Sequence, residues 1–436
     1  QFWLKPRRLE NCIASRLLGK RCFSIKMRVS VLALAGHEVA SIVVEPSWTL
    51  RDVLQQVHDP TQALSLHSRV FHHGLELLPG VSLAAIGVCE GSQLTLVNMA
   101  AWRILTVSHD HTTKVWSADS GKCLHTLGCH ECAIKAAEFS PDGTLVVTAC
   151  ADGNSCIWCA DSGKLVYTLR GHEGPVQSAA FSPNGKSAVT LSDDLTAKIW
   201  QVESGQCLYT LHGHVRNLLS AIFSPDGQFV LTASADRTAK MWCADSGECL
   251  RTLEGHGGQI WSAVCSPDSF LVLTAAEDRS AKIWIAESGE CLHTLVGHGG
   301  RVWRAAFSPD MLLVLTASLD HTARIWSTDS GECLHALVGH EDSVSSAVFS
   351  PDGSLALTAS DDKSARLWNT ASGMCLHMLE GHADCVSSAV FSSDGLLVLT
   401  ASDDQTAKIW SVDSGKCLRT LVGHQSEVLS AAFSSS

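Results

Sequence analysis

Short hydrophobic stretches alternate with turn-forming residues along most of the chain. In one segment the stretches are VSSAVF (Val344 to Phe349), LALTAS, ARLW and CLHML, and the turns between them are Ser350 to Gly353, Asp361-Asp362 and Ala371 to Gly373. Stretches of four to six residues that are rich in β-branched and apolar side chains and are bounded by Gly, Pro, Asp and Ser are typical of β-strands. The pattern therefore predicts four strands in this segment.

The same four-strand pattern recurs with a step of 42 residues, and eight copies cover residues 101–436. An apolar residue precedes a tryptophan in each copy, at Trp116, Trp158, Trp200, Trp242, Trp284, Trp326, Trp368 and Trp410. Histidines keep the same step, at 130, 172, 214, 256, 298, 340, 382 and 424. Aspartates keep it too, at 110, 152, 194, 236, 278, 320, 362 and 404. A fixed period of this length indicates a repeat architecture.

These copies resemble the WD-repeat (WD40) family over residues 101–436, through a Gly-His dipeptide, a Ser-x-Asp turn and a tryptophan that ends a strand. The resemblance implies a mainly β fold, a propeller of four-stranded blades. The repeat region begins in a second-type strand (Ile104 to Ser108) and ends in a first-type strand (Val428 to Phe433), so the last strand can complete the first blade. We therefore expect eight blades and 32 strands; the alternative is a seven-bladed ring with a spare repeat. One departure from the family is that no repeat tryptophan is followed by Asp.

Ser402, Asp404 and His424 are the residue types of a hydrolytic triad within one short stretch. Nearly every copy carries them, whereas a triad needs one copy at one cleft, so we interpret them as structural. The family resemblance implies a network in which Asp, His, a hydroxyl and the Trp indole N–H are joined by hydrogen bonds. Thr400 and Ser402 are both candidates for the hydroxyl. The residues predicted to form such networks are Asp404, His424, Thr400, Ser402, Trp410, Asp362, His382, Trp368, Asp320, His340 and Trp326. A hydrolase would need one copy whose Ser or His departs from the repeat and lies open in a cleft, and the sequence indicates none.

Seven of the 18 cysteines share one repeat position at the start of the fourth strand: 123, 207, 249, 291, 333, 375 and 417. Separate blades should hold them too far apart for disulfides, and we expect buried thiols that pack as small apolar groups. Cys129/Cys132 and Cys156/Cys159 have the spacing of zinc ligands, but Cys156 and Cys159 should point to opposite faces of a strand. We therefore predict no metal, no cofactor and no catalytic residue.

The first hundred residues lack the 42-residue repeat. They divide into 1–26 and 27–99, and the repeats occupy 100–436. Residues 1–26 carry seven Lys or Arg and one acid. They are interpreted as a basic and disordered extension or a fragmentary start, with a transit peptide as the alternative. Residues 27–98 resemble ubiquitin, a small α+β (β-grasp) fold, through Val44 to Leu50, Arg69 to Gly74 and Ser92 to Val97. Thr49 is predicted to cap a helix that runs to about Val57.

Two features argue against conjugation of this ubiquitin-like segment. It continues at Ala100 where ubiquitin ends in Gly-Gly, and residues 27–98 contain no lysine. The resemblance then implies a docking domain. Phe71 and Val97 fall where ubiquitin displays its apolar recognition patch, although they could equally be ordinary strand residues.

Within a repeat protein, a binding site is expected where the copies differ, and the family resemblance places it on the narrow top face of the ring. Leu219, Trp261 and Trp303 occupy one position on consecutive blades, with Arg301 and Arg304 beside them; Asp361, Asp403 and Glu427 lie on the opposite side. Trp and Arg are the usual anchors of interfaces. We expect an apolar, partly cationic half and an acidic half, which would suit an extended protein segment. The alternative is that the tryptophans fill gaps between blades.

The net charge of −12 argues against broad nucleic-acid binding, and no apolar run reaches the roughly 18 residues of a membrane helix. The sequence thus predicts a cytoplasmic or nuclear non-enzymatic adaptor or scaffold whose partners are other proteins. In this interpretation the propeller holds protein segments and the ubiquitin-like domain docks to ubiquitin-recognising machinery. The alternative is a signalling scaffold with no role in ubiquitin pathways.

Overall fold

The computed structural model describes residues 27–33, 38–45, 47–48, 68–72, 75–76, 83, 88–89, 91–98, 102–128 and 132–434. The chain forms two compact units with a boundary between residues 100 and 101. The predicted basic extension and the predicted helix from Thr49 to Val57 lie outside the described residues, as do Cys129 and His130.

The first unit contains a five-stranded mixed sheet. Its strands are β1 (Met27–Ala33), β2 (Glu38–Val44), β3 (Ser68–His72), β4 (Leu75–Glu76) and β5 (Gln93–Asn98). Their order across the sheet is β2-β1-β5-β3-β4, with β1 and β5 parallel and the other neighbours antiparallel. The pairing places Phe71 opposite Thr95 and Arg69 opposite Val97, so Phe71 and Val97 are diagonal positions on neighbouring strands.

The second unit is a propeller of eight four-stranded antiparallel sheets. The inner strands are β9 (Ile134–Phe139), β13 (Val176–Phe181), β17 (Leu218–Phe223), β21 (Ile260–Cys265), β25 (Val302–Phe307), β29 (Val344–Phe349), β33 (Val386–Phe391) and β37 (Val428–Phe433). The second strands are β6 (Arg103–Ser108), β10 (Leu145–Cys150), β14 (Ser187–Ser192), β18 (Phe229–Ser234), β22 (Leu271–Ala276), β26 (Leu313–Ser318), β30 (Leu355–Ser360) and β34 (Leu397–Ser402).

The third strands are β7 (Thr113–Ser117), β11 (Asn154–Cys159), β15 (Ala197–Gln201), β19 (Ala239–Cys243), β23 (Ser280–Ile285), β27 (Thr322–Ser327), β31 (Ala365–Asn369) and β35 (Thr406–Ser411). The outer strands are β8 (Cys123–Leu127), β12 (Leu165–Arg170), β16 (Cys207–Leu211), β20 (Cys249–Leu253), β24 (Cys291–Val296), β28 (Cys333–Val338), β32 (Cys375–Leu379) and β36 (Cys417–Val422). Blade 1 consists of β37, β6, β7 and β8, and blades 2 to 8 follow in chain order.

The last strand closes the ring. β37 pairs antiparallel with β6, with Phe433 opposite Ile104 and Val428 opposite Ser108, and the backbone N–H of Ser434 donates to the carbonyl of Arg103 at 2.8 Å. The prediction of eight blades closed by the C-terminal strand is therefore confirmed, and a seven-bladed ring with a spare repeat is excluded. Through this pairing β6 becomes an interior strand of its sheet and not an exposed edge that could recruit another chain.

The hydrophobic core lies between neighbouring blades. Each second strand is buried from its second residue onward, as expected for continuous apolar runs that are covered on both faces. Trp326 of blade 6, for example, packs against Leu273 and Ile283 of blade 5 and against Val302 of its own inner strand. Burial of roughly 150–250 Å² per aromatic side chain makes these tryptophans major contributors to blade–blade packing.

The prediction of buried cysteines at the start of the outer strands was wrong. Cys123, Cys207, Cys249, Cys291, Cys333, Cys375 and Cys417 are all exposed and free. The outer strand lies at the circumference, where no further strand covers it, and only its fifth residue points into the blade. In Cys417 the thiol instead donates to the carbonyl oxygen of Arg419 at 3.3 Å.

Candidate interaction surface of the propeller

Within the blades, the repeated polar residues form closed hydrogen-bond chains. In blade 8 the indole N–H of Trp410 donates to Thr400 Oγ1 at 2.9 Å, and the Thr400 hydroxyl lies 2.7 Å from His382 Nε2. His382 Nδ1 lies 2.8 Å from Asp404 Oδ2. Each donor meets an acceptor if His382 is neutral and carries its proton on Nδ1, so the network itself assigns the tautomer.

Burial lowers the pKa of the tetrad histidine, since it disfavours the imidazolium; the bond to Asp404 opposes this effect in His382. Burial alone would raise the pKa of Asp404. Hydrogen bonds from Thr406, the backbone N–H of Ala383 and His382 outweigh it and lower the pKa to about 2. The carboxylate is thus charged and the imidazole neutral at neutral pH, and both are committed to the fold.

The repeated serine has a different role from the threonine. Ser402 Oγ donates to the carbonyl of Asp384 at 3.0 Å and accepts from the backbone N–H of Asp404 at 3.1 Å. It therefore closes the turn after the second strand, while Thr400 supplies the hydroxyl that joins His and Trp. The structure also adds a hydroxyl that the sequence reasoning missed: Thr406 Oγ1 donates to Asp404 Oδ1 at 2.6 Å. Its signal was a Ser or Thr two residues after nearly every repeat Asp.

The triad-like residues of a single copy do not meet in one network. Asp404 bonds His382, whereas His424 bonds Asp110 at 2.8 Å and Thr106 at 2.7 Å in blade 1. The reason is that each Gly-His dipeptide lies on the crossover from an outer strand to the next inner strand, and so belongs to the following blade. The predicted residues of blades 6 and 7 are displaced in the same way: Asp320 with Trp326 takes His298, and Asp362 with Trp368 takes His340.

A bulge in every inner strand shapes the top face. In blade 6, Val302 pairs with Ser318 and Arg304 with Ala317, which leaves Trp303 as the extra residue, and the same irregularity recurs in all eight blades. A bulge re-aims a side chain and is common beside functional sites. The bulged residue differs in size and charge among the copies: Lys135, Gln177, Leu219, Trp261, Trp303, Ser345, Ser387 and Leu429.

Trp261 and Trp303 occupy this bulged position on blades 5 and 6. Their rings contact each other edge-to-face, with centroids 4.6 Å apart and an interplanar angle of 62°. Both are half-buried, and Trp261 Nε1 is buried without a hydrogen-bond acceptor. The equivalent serines of blades 7 and 8 instead donate to the next blade, Ser345 to the carbonyl of Val386 at 2.8 Å. The tryptophans thus fill space between blades and also leave an unused donor.

The acidic residues of the opposite half lie close together. Burial, with the charges of Asp342 and Asp362, raises the pKa of Asp361. Burial, with the charges of Glu427, Asp384 and Asp361, raises the pKa of Asp403. Carboxylates that repel one another in this way favour a cation in their midst.

Two basic side chains contact this cluster at its surface. His109 Nδ1 lies 3.1 Å from Glu427 Oε2, and Lys363 Nζ lies 4.0 Å from Asp384 Oδ1. Both contacts are at exposed side chains, where an ion pair contributes about 0–1 kcal/mol. We define this acidic cluster by Asp361, Asp384, Asp403 and Glu427.

The two arginines of the other half differ in their surroundings. Arg301 is exposed and pairs with Glu277 of blade 5 at 3.0 Å, so its charge is already matched. Arg304 lies in the central channel, where it helps line a cavity of about 670 Å³ together with Leu219, Trp261 and Trp303. The structure therefore brings the apolar residues and Arg304 together in one cavity, whereas Arg301 is ion-paired and is not part of its lining.

A profile of the family described as "WD domain, G-beta repeat" matches residues 121–159, 163–201, 205–243, 247–284, 289–327, 331–369, 373–411 and 415–436. The chain belongs to the WD40 family. Each of the first seven WD40 matches begins just before an outer strand and ends in the third strand of the next blade, so the sequence unit is offset from the structural blade by one strand. The offset explains why His424 serves the blade after its own repeat.

Among solved structures, the WD40 chain is similar to a crystal structure of the computationally designed Ika8 protein. The identity is 30%, the TM-score is 0.63, and the alignment covers 70% of this chain and 91% of that chain. A search of curated proteins finds no match. WD40 propellers are typical protein-interaction scaffolds, and their partners are generally other proteins.

The described residues of this WD40 protein contain neither a metal-binding cluster nor a membrane-spanning helix. No group of three or more His, Cys, Asp or Glu in the described part of the chain is arranged to hold a metal ion. Nor do the described residues include a helix that is long and apolar enough to cross a bilayer.

Proposed function

We propose that this WD40 protein is a non-enzymatic scaffold whose propeller binds an extended protein segment across its top face. The carrying observation is the pair Trp261 and Trp303, half-buried on adjacent blades beside the channel mouth. Large aromatic side chains of this kind give contact area at little cost in conformational entropy. The Ser, His and Asp that resemble a triad are bonded within the turns and tetrads, which supports a scaffold over a hydrolase.

The chemistry of the partner segment follows from the two halves of the top face. The tryptophan pair suits an apolar or aromatic side chain. The acidic cluster suits Lys or Arg, because a cation would relieve the repulsion among Asp361, Asp384, Asp403 and Glu427. Arg301 is matched by Glu277 and is expected to contribute little.

The test is a selection of displayed random peptides on the immobilised full chain. We expect enriched peptides to combine an aromatic or apolar residue with basic residues. Their affinity should fall at least about tenfold in Trp261→Ala/Trp303→Ala, since such residues dominate interface energies. Phe270→Ala is the matched control: Phe270 is 65% exposed at the turn between β21 and β22, at the other end of the same inner strand. Unchanged affinity in a folded double variant would contradict the proposal.

We further infer that the first unit docks to ubiquitin-recognising machinery. The sheet order β2-β1-β5-β3-β4 with β1 and β5 parallel supports the ubiquitin-like interpretation, as do the diagonal positions of Phe71 and Val97. Purified ubiquitin-receptor domains should bind the full chain and lose affinity for Phe71→Ala/Val97→Ala but not for Val43→Ala, whose side chain is exposed on β2. Absence of binding to the unmodified chain would favour the alternative, a signalling scaffold with no ubiquitin-pathway role.

A further inference from the structure

One arginine in the central channel is unlike every other residue at its position. Arg304 is the third residue of its inner strand, where the other blades have small side chains: Ala136, Ser178, Ser220, Ser262, Ser346, Ser388 and Ser430. Among the described inner strands it is also the one exposed residue. The blade architecture therefore does not require an arginine here.

The Arg304 guanidinium has no hydrogen-bond or ion-pair partner within the described residues, although the chain carries 44 acids and only 32 Lys and Arg. Its accessible head stands in a space enclosed by the inner strands, and this enclosure lowers its pKa by penalising the charged form. A guanidinium offers five N–H donors in a rigid fork that matches a carboxylate. A guanidinium without a partner in a cavity is therefore available to bind an anion.

The rings of two tryptophans line the same cavity. Trp261 Nε1 itself is buried without a hydrogen-bond acceptor, so the ring of Trp261 and not its N–H faces a ligand. Leu219 also lines the cavity, so an anion bound by Arg304 would be partly shielded from water and its hydrogen bonds strengthened.

Two acids, Glu138 and Asp361, line the same cavity, and within the described residues neither forms an ion pair with Arg304. Glu138 lines the cavity from blade 2, four blades away, and accepts from the backbone N–H of Phe181 at 3.4 Å. Burial raises the pKa of Glu138 to about 7, so it opposes an incoming anion only weakly at neutral pH.

We propose that the channel mouth is a carboxylate-binding pocket in which the Arg304 guanidinium binds one carboxylate in the cavity that the rings of Trp261 and Trp303 also line. This inference deepens the proposed function and rests on it: the carboxylate would belong to an Asp, a Glu or a chain terminus of the bound protein segment. The same chemistry could be supplied by a free dicarboxylate. The bound segment would then carry an acidic or C-terminal anchor at the channel and basic residues over the acidic cluster.

The test uses the full chain with ¹⁵N-labelled tryptophan and follows the indole N–H resonance of Trp261, assigned with Trp261→Phe. In one arm the chain is titrated with succinate, and sodium chloride at matched ionic strength is the control. The other adds a selected peptide with one Asp or Glu against its Asn or Gln counterpart. We expect a saturable shift with the carboxylate ligands alone. A tighter peptide identifies the segment as the source, and tighter succinate identifies a free acid.

Arg304→Ser is the decisive variant, because six other blades carry Ser at this position and the fold should tolerate it. Carboxylate affinity should fall at least about tenfold in this variant and remain unchanged in Arg301→Ser, whose arginine is paired on the same blade. Equal affinity in Arg304→Ser and the unmodified chain, or no saturable shift, overturns the pocket. If peptide capture survives Arg304→Ser but is lost in Trp261→Ala/Trp303→Ala, the pocket is overturned and the proposed function stands. If succinate binds but no peptide is captured, the pocket stands and a protein segment is overturned as the source of the carboxylate.

Discussion

At the scale of residues, the two repeated hydroxyls of blade 8 bind different partners, Thr400 within the tetrad and Ser402 within the turn. Thr400 and Ser402 are two apart on one strand and so face the same side, which left periodicity unable to choose between them. The distances decide for Thr400, since it reaches both His382 and Trp410. Likewise, Arg301 and Arg304 read alike in the sequence, because the Glu277 that neutralises Arg301 lies 24 positions earlier on another blade.

The different roles of the two hydroxyls predict different stabilities in blade 7. Thr358→Val keeps the shape but leaves His340 Nε2 and the Trp368 indole N–H unpaired, and we expect the free energy of unfolding to fall by about 3 kcal/mol. Ser360→Ala removes only the turn bonds to Asp342 and Asp362 and should cost about 1 kcal/mol. Urea unfolding of both variants checks this. Thr358→Ser should recover most of the loss, and a smaller effect for Thr358→Val than for Ser360→Ala would contradict the assignment.

At the scale of elements, the number and order of strands followed from the sequence because short apolar runs and turn residues repeat without interruption. The sequence did not predict the solvent exposure of side chains on the outer strand of a blade. Cys417 and its six equivalents read as apolar strand residues, yet the outer strand is covered on one side only. The bulge that re-aims Trp261 and Trp303 was equally invisible, since no glycine or insertion marks it.

The closing strand makes the first blade depend on the last residues of the repeat region. Removal of residues 428–436 would leave β6 paired only with β7 and uncover Ile104 and Leu105, which are now fully buried. We expect a lower melting temperature and self-association through the exposed edge. Light scattering and thermal unfolding measure both, with a chain lacking only residues 435 and 436 as the control. A monomeric truncated chain with an unchanged melting temperature would contradict this role of β37.

At the scale of the whole molecule, the polar networks link stability to pH. Burial lowers the pKa of six tetrad histidines: His172, His214, His298, His340, His382 and His424. Below about pH 6.5 the unfolded chain therefore binds protons that the native state does not, and stability decreases as pH falls. The tetrad carboxylates act in the same direction only at lower pH, because the pKa of Asp404 is about 2 against an ordinary value of 3.8.

Acidification from about pH 7 to about pH 5 should accordingly lower the free energy of unfolding. Each neutral histidine contributes a slope of up to about 1.4 kcal/mol per pH unit between its two pKa values. Urea unfolding across this range measures the slope, and the far-UV circular dichroism of the native state should remain unchanged above the transition. A constant or rising stability on acidification would show that the histidines are protonated in the folded protein.

The pairing of Phe433 with Ile104 also means that the two ends of the propeller are neighbours in a single sheet. The ring consequently has no privileged starting blade. A short linker between residue 434 and residue 102, with new ends cut into any outer-to-inner crossover, should yield circular permutants with the same set of blades. The order in which blades emerge during synthesis could then be varied while the finished ring stays the same.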